Sequence, residues 1–230
     1  MRNKPKNRPQ KDAGESFQGI FAALTTPFIG EKISSERLKE NICRYNQTEL
    51  SGYVVLGSTG EAVFLSDMES DKAVEDARAS AAGGKKIIVG TARESTHKTI
   101  EFTNRVAELG ADAALVKPPC YYKSRMSQEA LRGHYLRIAE KSKLPVLIYN
   151  IPQNTGISLS PTLLVELSLH LNIAGVKDSS GNLGNLVEVV PRARKGFVFL
   201  LGAGSLVCPG LLLGASGGIL ALAAAVPEPC

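Results

Sequence analysis

The chain has 230 residues, 43% of them hydrophobic and 21% charged, which is typical of one α/β domain. Its formal net charge is +5, but residues 1–13 account for +4 of it, since five basic residues there face Asp12 alone. The rest of the chain therefore sums to about +1, which excludes the basic face that a nucleic-acid-binding domain needs.

The basic N-terminal segment predicts a disordered, solvated leader over residues 1–16, ahead of a single domain over residues 17–230. The alternative is an arm that binds nucleic acid or an anionic surface. The segment lacks the apolar core of a secretion signal and the amphipathic, serine-rich character of a transit peptide. The four cysteines form no C-x-x-C pair and no disulfide-like spacing. A cytoplasmic location is therefore expected.

Eight short apolar runs follow in chain order. They are rich in Val, Ile and Leu and do not alternate with polar residues, as expected of strands that are covered on both faces. The predicted strands are Ile20–Leu24, Tyr53–Leu56, Ile87–Gly90, Ala113–Lys117, Val146–Tyr149, Ile173–Val176, Phe197–Leu201 and Gly218–Leu220.

Helical patterns separate these runs, and several begin with a serine that suits an N-cap. These serines are Ser34, Ser66, Ser95, Ser127 and Ser160. Strand and helix alternating eight times predict an all-parallel sheet. The number eight favours closure as a (β/α)8 TIM barrel over an open doubly wound sheet.

The last long apolar stretch, residues 206–226, is interrupted by Pro209 and four glycines. It predicts a buried helix, a turn and a strand, and no membrane span. The final predicted strand ends near Leu222, and eight residues remain after it. We therefore expect a C-terminally truncated barrel in which the last outer helix is missing.

In a TIM barrel the chemistry lies where strands end and loops begin. Lys177 ends the sixth predicted strand, and Tyr149 ends the fifth. Lys177 is either a surface lysine paired with Asp178 or a buried amine that condenses with a ketone. A neighbouring phenol favours the second interpretation because it can pass protons during that condensation. Lys117, at the end of the fourth predicted strand, is the rival amine.

Other strand ends predict weaker sites. Gly57-Ser58-Thr59-Gly60 is either a cradle for a carboxylate or a serine-rich turn that caps a helix. The glycines Gly202 and Gly204 lack the third glycine of a dinucleotide motif. No metal site is expected, because the three histidines fall far apart on predicted outer helices, where solvated faces are the usual explanation. They are His97, His134 and His170.

Four motifs in this order resemble the dihydrodipicolinate synthase / N-acetylneuraminate lyase family from about Gly19 onward. They are Gly57-Ser58-Thr59-Gly60-Glu61, Tyr149-Asn150-Ile151-Pro152, Asn154-Thr155-Gly156 and Gly175-Val176-Lys177-Asp178. The resemblance implies a lyase or aldolase that forms a Schiff base between Lys177 and pyruvate or another 2-keto acid. It also implies a homotetramer that uses small-molecule keto acid and aldehyde substrates and needs no cofactor. By the same resemblance, a C-terminal helical extension is expected to be missing as well.

The resemblance further implies roles for individual residues. Tyr149 would be the acid/base, and Ser58 and Thr59 would hold the carboxylate and help relay protons. Tyr122 matches a tyrosine that family members often lend to a neighbouring subunit's site. Gly202 and Ile219 match residues that line the pyruvate pocket.

The subtype is predicted from two segments. The synthases usually carry an arginine after the tyrosine motif, whereas residues 153–156 here contain none. The loop over residues 119–126 is more similar to 4-hydroxy-2-oxoglutarate aldolases, although those often have Asn where Thr59 stands. The sequence therefore favours such an aldolase, with 4-hydroxy-tetrahydrodipicolinate synthase as the alternative. An inactive relative that acts as a binding or assembly subunit is the alternative from another class.

Overall fold

The computed structural model describes residues 16–228. Apart from Ser16, the predicted leader lies outside the described residues, as does Cys230. No helix within residues 16–228 is long and apolar enough to cross a membrane.

Eight parallel strands close into a barrel in which each strand pairs with its neighbours in sequence and the last pairs with the first. The predicted (β/α)8 TIM barrel is thereby confirmed, and the open doubly wound alternative is wrong. The strands are β1 (Gly19–Ala23), β2 (Gly52–Val55), β3 (Lys86–Gly90), β4 (Ala113–Val116), β5 (Val146–Asn150), β6 (Ile173–Asp178), β7 (Val198–Leu201) and β8 (Gly217–Leu220).

Helices surround the barrel between these strands, and a short antiparallel ribbon of Phe28–Ile29 and Lys32–Ile33 follows β1. The helices are α1 (Ser35–Tyr45), α2 (Asp67–Ser80), α3 (Thr96–Glu108), α4 (Gln128–Lys141), α5 (Pro152–Thr155), α6 (Pro161–Ser168), α7 (Leu183–Val189), α8 (Val207–Leu212) and α9 (Leu222–Ala225). Short 3-10 turns cover Ala62–Phe64, Lys123–Arg125 and Gly204–Leu206.

The predicted serine caps start five of these helices. In each, the serine hydroxyl accepts a hydrogen bond from the backbone N–H three residues later, which satisfies one of the N–H groups that a helix start leaves free. Ser66 adds a full capping box, since its own N–H donates to Glu69 at 2.9 Å. These caps set where each helix begins and hence the length of the loop above each strand.

Alternate residues of the strands divide the core into an inner and an outer part. The inner part fills the barrel with side chains that include Phe21, Leu147 and Ile219. The outer part packs the opposite strand faces against the helices. Because these side chains fill the barrel interior, a site has room at the end of the barrel where the loops after the strands lie.

Two expectations for individual segments are wrong. Helix α8 was expected to be buried, but Leu212 is 86% exposed and both of its neighbouring leucines are also exposed. His134 was expected on a solvated helix face, but it is 6% exposed and its Nδ1 lies 2.8 Å from Thr96 Oγ1. His134 is buried where α4 lies beside the start of α3, and a contact between two helices is not visible in the pattern of α4 alone.

Candidate active site

Tyr149 and Lys177 stand opposite each other on the paired strands β5 and β6. An irregularity in the pairing brings Lys177 to the inner face. Val146 pairs with Ile173, but the next residue, Leu147, pairs with Gly175, so Ala174 is skipped. This extra residue shifts the alternation of β6, and Lys177 therefore points to the same side as Tyr149.

The amine of Lys177 is buried against the phenol ring of Tyr149. The lysine is 5% exposed, and its Nζ lies 4.3 Å from the centroid of the Tyr149 ring. Burial lowers the pKa of Lys177 from its ordinary value of 10.5, against smaller upward contributions from Tyr149. Because only a neutral amine attacks a carbonyl, this environment suits a nucleophilic lysine.

Asp178 is not the partner of Lys177. Its carboxylate accepts hydrogen bonds from Asn150 Nδ2 at 3.1 Å, from Asn185 Nδ2 at 3.0 Å and from the backbone N–H of Ser180 at 2.7 Å. Asn150 also accepts from the backbone of Leu159 at 3.1 Å. This buried network joins the ends of β5 and β6, a positioning role that the sequence analysis did not assign to Asn150 or Asp178. The sequence feature that could have indicated this role is a polar residue directly after both Tyr149 and Lys177.

The loop after β2 carries the hydroxyls of Ser58 and Thr59 in a tight, positive-φ turn. Leu56 has a φ of +59° at its start, although non-glycine residues rarely adopt this region. The Leu56 carbonyl oxygen lies close to Gly90, which is possible because glycine has no Cβ. A Cβ at this position would overlap that oxygen. Ser58 is exposed to the cavity described below, and Thr59 is half-buried.

Gly202 and Ile219 lie on the far side of β6, at the ends of β7 and β8. The backbone N–H of Gly202 donates to the carbonyl of Asp178 at 2.8 Å, and a Cβ there would overlap Ser179 Oγ. Ile219 is 1% exposed and belongs to the same interior cluster as Tyr149. The backbone of Gly202 is therefore close to the strand that carries Lys177.

A cavity of about 700 Å³ opens over β2 to β5. Tyr149 and Ser58 line it, and so do Lys117, Asn154 and Thr155. Lys177 is not among the lining residues. Its Nζ lies 4.3 Å from the centre of the Tyr149 ring, which does line the cavity. This volume is in the usual range for a small-molecule site. The cavity and the Tyr149–Lys177 pair together provide a nucleophile, a phenol and hydroxyl groups in one place.

Tyr122 is not brought to this site within one chain. It is 69% exposed, and its ring packs edge-on against Tyr121 at 4.9 Å. Lys117 differs from Lys177 in its surroundings, because its side chain is 23% exposed and its Nζ lies 3.4 Å from Glu94 Oε1. The amine of Lys177 is therefore buried away from water, whereas the amine of Lys117 is paired with a carboxylate.

The histidines do not gather in the described part of the chain. His97 has an 85% exposed side chain, whereas burial lowers the pKa of His134 to about 4. Within residues 16–228 no three His, Cys, Asp or Glu side chains are arranged to hold a metal ion.

Comparison with known proteins gives one consistent result. The Dihydrodipicolinate synthetase family matches residues 16–229. A 4-hydroxy-tetrahydrodipicolinate synthase of Methanospirillum hungatei is 36% identical over 217 residues, which cover 93% of this chain and 74% of the relative.

Two solved structures show the same likeness. Dihydrodipicolinate synthase from Aquifex aeolicus superposes with a TM-score of 0.87 and 34% identity, over 92% of this chain and 72% of that one. The chloride-inhibited enzyme from Acinetobacter baumannii, solved in complex with pyruvate, has a TM-score of 0.87 and 32% identity, with the same shares covered.

Proposed function

The chain belongs to the dihydrodipicolinate synthetase family of class I lyases and aldolases, and from this premise we propose that Lys177 forms a Schiff base with pyruvate or a related 2-keto acid. The observation that carries the proposal is the buried Lys177 amine, 4.3 Å from the centre of the Tyr149 ring. Burial lowers the pKa of this amine, so a larger share of it is neutral at physiological pH.

In the proposed reaction the Lys177 nitrogen attacks the keto carbon and forms a carbinolamine. Tyr149 delivers a proton to the departing hydroxyl, water leaves, and a protonated imine remains. Loss of a proton from the methyl group of bound pyruvate gives an enamine, which attacks an aldehyde carbon. In the reverse direction the imine accepts the electrons of the breaking C–C bond. Hydrolysis then frees the amine.

The remaining site residues would bind the keto acid. Ser58 and Thr59 would hold its carboxylate through their hydroxyls and the backbone N–H groups of their turn, with Thr59 passing protons between Tyr149 and the substrate. Gly202 and Ile219 would shape the pocket for the methyl end. Their support is the resemblance of the motifs, the place of Ser58 in the cavity lining, and the positions of Gly202 and Ile219 near the ends of β7 and β8.

For the aldehyde, the names of the similar proteins favour aspartate semialdehyde. Several of them are called 4-hydroxy-tetrahydrodipicolinate synthase at 35–37% identity. A 4-hydroxy-2-oxoglutarate aldolase, which would use glyoxylate, remains the second candidate. One observation favours it: residues 153–156 contain no arginine, and the neutral Asn154 lines the cavity instead.

Borohydride reduction in the presence of pyruvate tests the Schiff base. We expect one reduced pyruvyl adduct by intact mass, mapped to Lys177 by peptide analysis, and no adduct in Lys177→Ala. An adduct on Lys117 would overturn the assignment. No adduct in a folded sample would instead support an inactive subunit that binds or assembles. A coupled assay with glyoxylate and with aspartate semialdehyde then separates the two candidate reactions.

We also propose a cytoplasmic homotetramer. The exposed pair of Tyr121 and Tyr122 supports contact between copies, because two large rings that are 77% and 69% exposed suit a protein interface better than solvent. Sedimentation of the wild type and of Tyr122→Ala measures the assembly. Sedimentation of the wild type as a monomer would overturn this part of the proposal.

A further inference from the structure

We propose that Lys117 binds the carboxylate of the aldehyde substrate and so selects acidic aldehydes, an inference that rests on the proposed Schiff-base chemistry at Lys177. Lys117 directly follows β4, where Val116 pairs with Ile148 of β5. The next position in this register places Lys117 beside Tyr149, and Tyr149 pairs with Lys177. The three residues therefore form one row across three neighbouring strands.

The side chain of Lys117 faces the substrate cavity. Leu115 belongs to the barrel interior and Val116 to the outer core, so alternation directs Lys117 inward again. Both Lys117 and Tyr149 line the cavity of about 700 Å³. An aldehyde that reacts beside Tyr149 would therefore have the Lys117 amine on the side opposite to Lys177.

Lys117 retains donors for such a carboxylate. Its Nζ contacts Glu94 Oε1 at 3.4 Å and Cys120 Sγ at 3.6 Å, both longer than a strong charged hydrogen bond. Glu94 directs its shorter contacts elsewhere, because Oε2 accepts from the backbone N–H groups of Cys120 and Tyr121 at 2.8 Å each. An ammonium has three donors, and within the described residues no further acceptor contacts this one.

The other charges that line the cavity are already engaged or open to solvent. Arg93 donates to Asp67 at 3.2 Å and to the Ala92 carbonyl at 3.2 Å, and its guanidinium lies 4.0 Å above the ring of Phe102. Glu61 is exposed to solvent. Within the described lining, Lys117 is therefore the cation best placed to meet a substrate carboxylate, and neutral Asn154 leaves it without competition.

The experiment measures KM and kcat of Lys117→Met with pyruvate and whichever of glyoxylate or aspartate semialdehyde is turned over faster. We expect KM for that aldehyde to rise about 10- to 100-fold, the usual effect of losing a hydrogen bond to a charged group. The pyruvate concentration that half-saturates the borohydride adduct should not change. Lys117→Arg should recover most of the affinity, because it keeps a cation in the row.

Lys143→Met is the matched control, since Lys143 is a surface lysine paired with Glu108 at 2.8 Å, and its KM should equal that of the wild type. An unchanged aldehyde KM in Lys117→Met, or a loss confined to pyruvate, overturns the inference. If Lys117→Met does not fold, Lys117→Gln takes its place. Absence of any wild-type adduct would instead overturn the Schiff-base proposal itself, and the inference with it.

A measurement on the wild type alone gives a second test. The attraction between Lys117 and an acidic aldehyde should weaken with salt, whereas an uncharged aldehyde such as acetaldehyde should be insensitive. We expect kcat/KM for the acidic aldehyde to fall between 0.05 M and 0.5 M sodium chloride while the adduct yield with pyruvate stays constant. A salt-independent value contradicts the role of Lys117.

Discussion

Replacing Lys177 by Met should make the protein more stable while it removes the Schiff base. The wild type must hold an amine that is 5% exposed away from water, and this burial lowers its pKa below 10.5. Met has a similar length and no charge to desolvate. A stabilising substitution of this kind is typically worth about 0.5–2 kcal/mol. For a domain of this size, that corresponds to a rise in Tm of about 1–8 °C.

The pH dependence follows from the sign of the pKa shift. Between the lowered folded pKa of Lys177 and the unfolded value near 10.5, the unfolded chain binds more protons than the folded one. Stability of the wild type therefore rises with pH in this window. The advantage of Lys177→Met should be greatest at pH 7 and should shrink as pH approaches 10.5.

Urea unfolding without substrate, followed by circular dichroism at several values of pH from 7 to 10, measures both effects. Lys143→Met serves as control, because the side chain of Lys143 is 58% exposed and its replacement removes no buried amine. A Lys177→Met variant that is less stable than the wild type at pH 7 would refute the reasoning. So would a stability gain that stays constant up to pH 10.

Three further predictions concern Tyr149, the loop after β2 and His134. Tyr149→Phe should slow imine formation about 10²- to 10⁴-fold in rapid borohydride trapping, because the phenol passes the protons, and an unchanged rate would remove Tyr149 from the mechanism. Gly90→Ala should destabilise the protein and weaken pyruvate trapping more than Gly83→Ala, because its Cβ overlaps the Leu56 carbonyl while Gly83 faces open space; equal effects would contradict this account of the loop. Burial lowers the pKa of His134 from 6.5 to about 4, so the unfolded chain binds the extra proton, and stability should fall by about 3 kcal/mol between pH 7 and pH 4. His134→Gln should lessen that fall in urea titrations, and an identical pH profile would show that other groups cause it.

The strand order and most of the candidate site follow from local patterns. Eight short, two-sided apolar runs and serine-led helices predict the barrel, because a strand buried on both faces and a capped helix are each written in consecutive residues. Strand limits differ from the prediction by one or two residues: β6, for example, runs to Asp178 where the pattern ended it at Val176. The carboxyl ends of the strands then indicate where the active site lies, because the loops of a TIM barrel build the site at that end.

Contacts between distant segments could not be predicted in this way. His134 is buried beside Thr96, which lies 38 residues earlier in the chain. Leu212 is exposed because no other described segment packs over its side chain. Likewise, the sequence pattern indicated Lys117 only as an alternative to Lys177 as the nucleophile. Its place in the row with Tyr149 appears once the register of β4, β5 and β6 is known.

By itself, the amino-acid sequence determined that a lysine and a tyrosine end neighbouring parallel strands, since strand order in a barrel follows chain order. Whether the two side chains meet was decided by the tertiary structure. A strict two-residue alternation from Ile173 would send Lys177 outward among the helices, and the skipped residue at Ala174 turns it inward. Pairing across β5 and β6 produces that shift, and no run of consecutive residues encodes it.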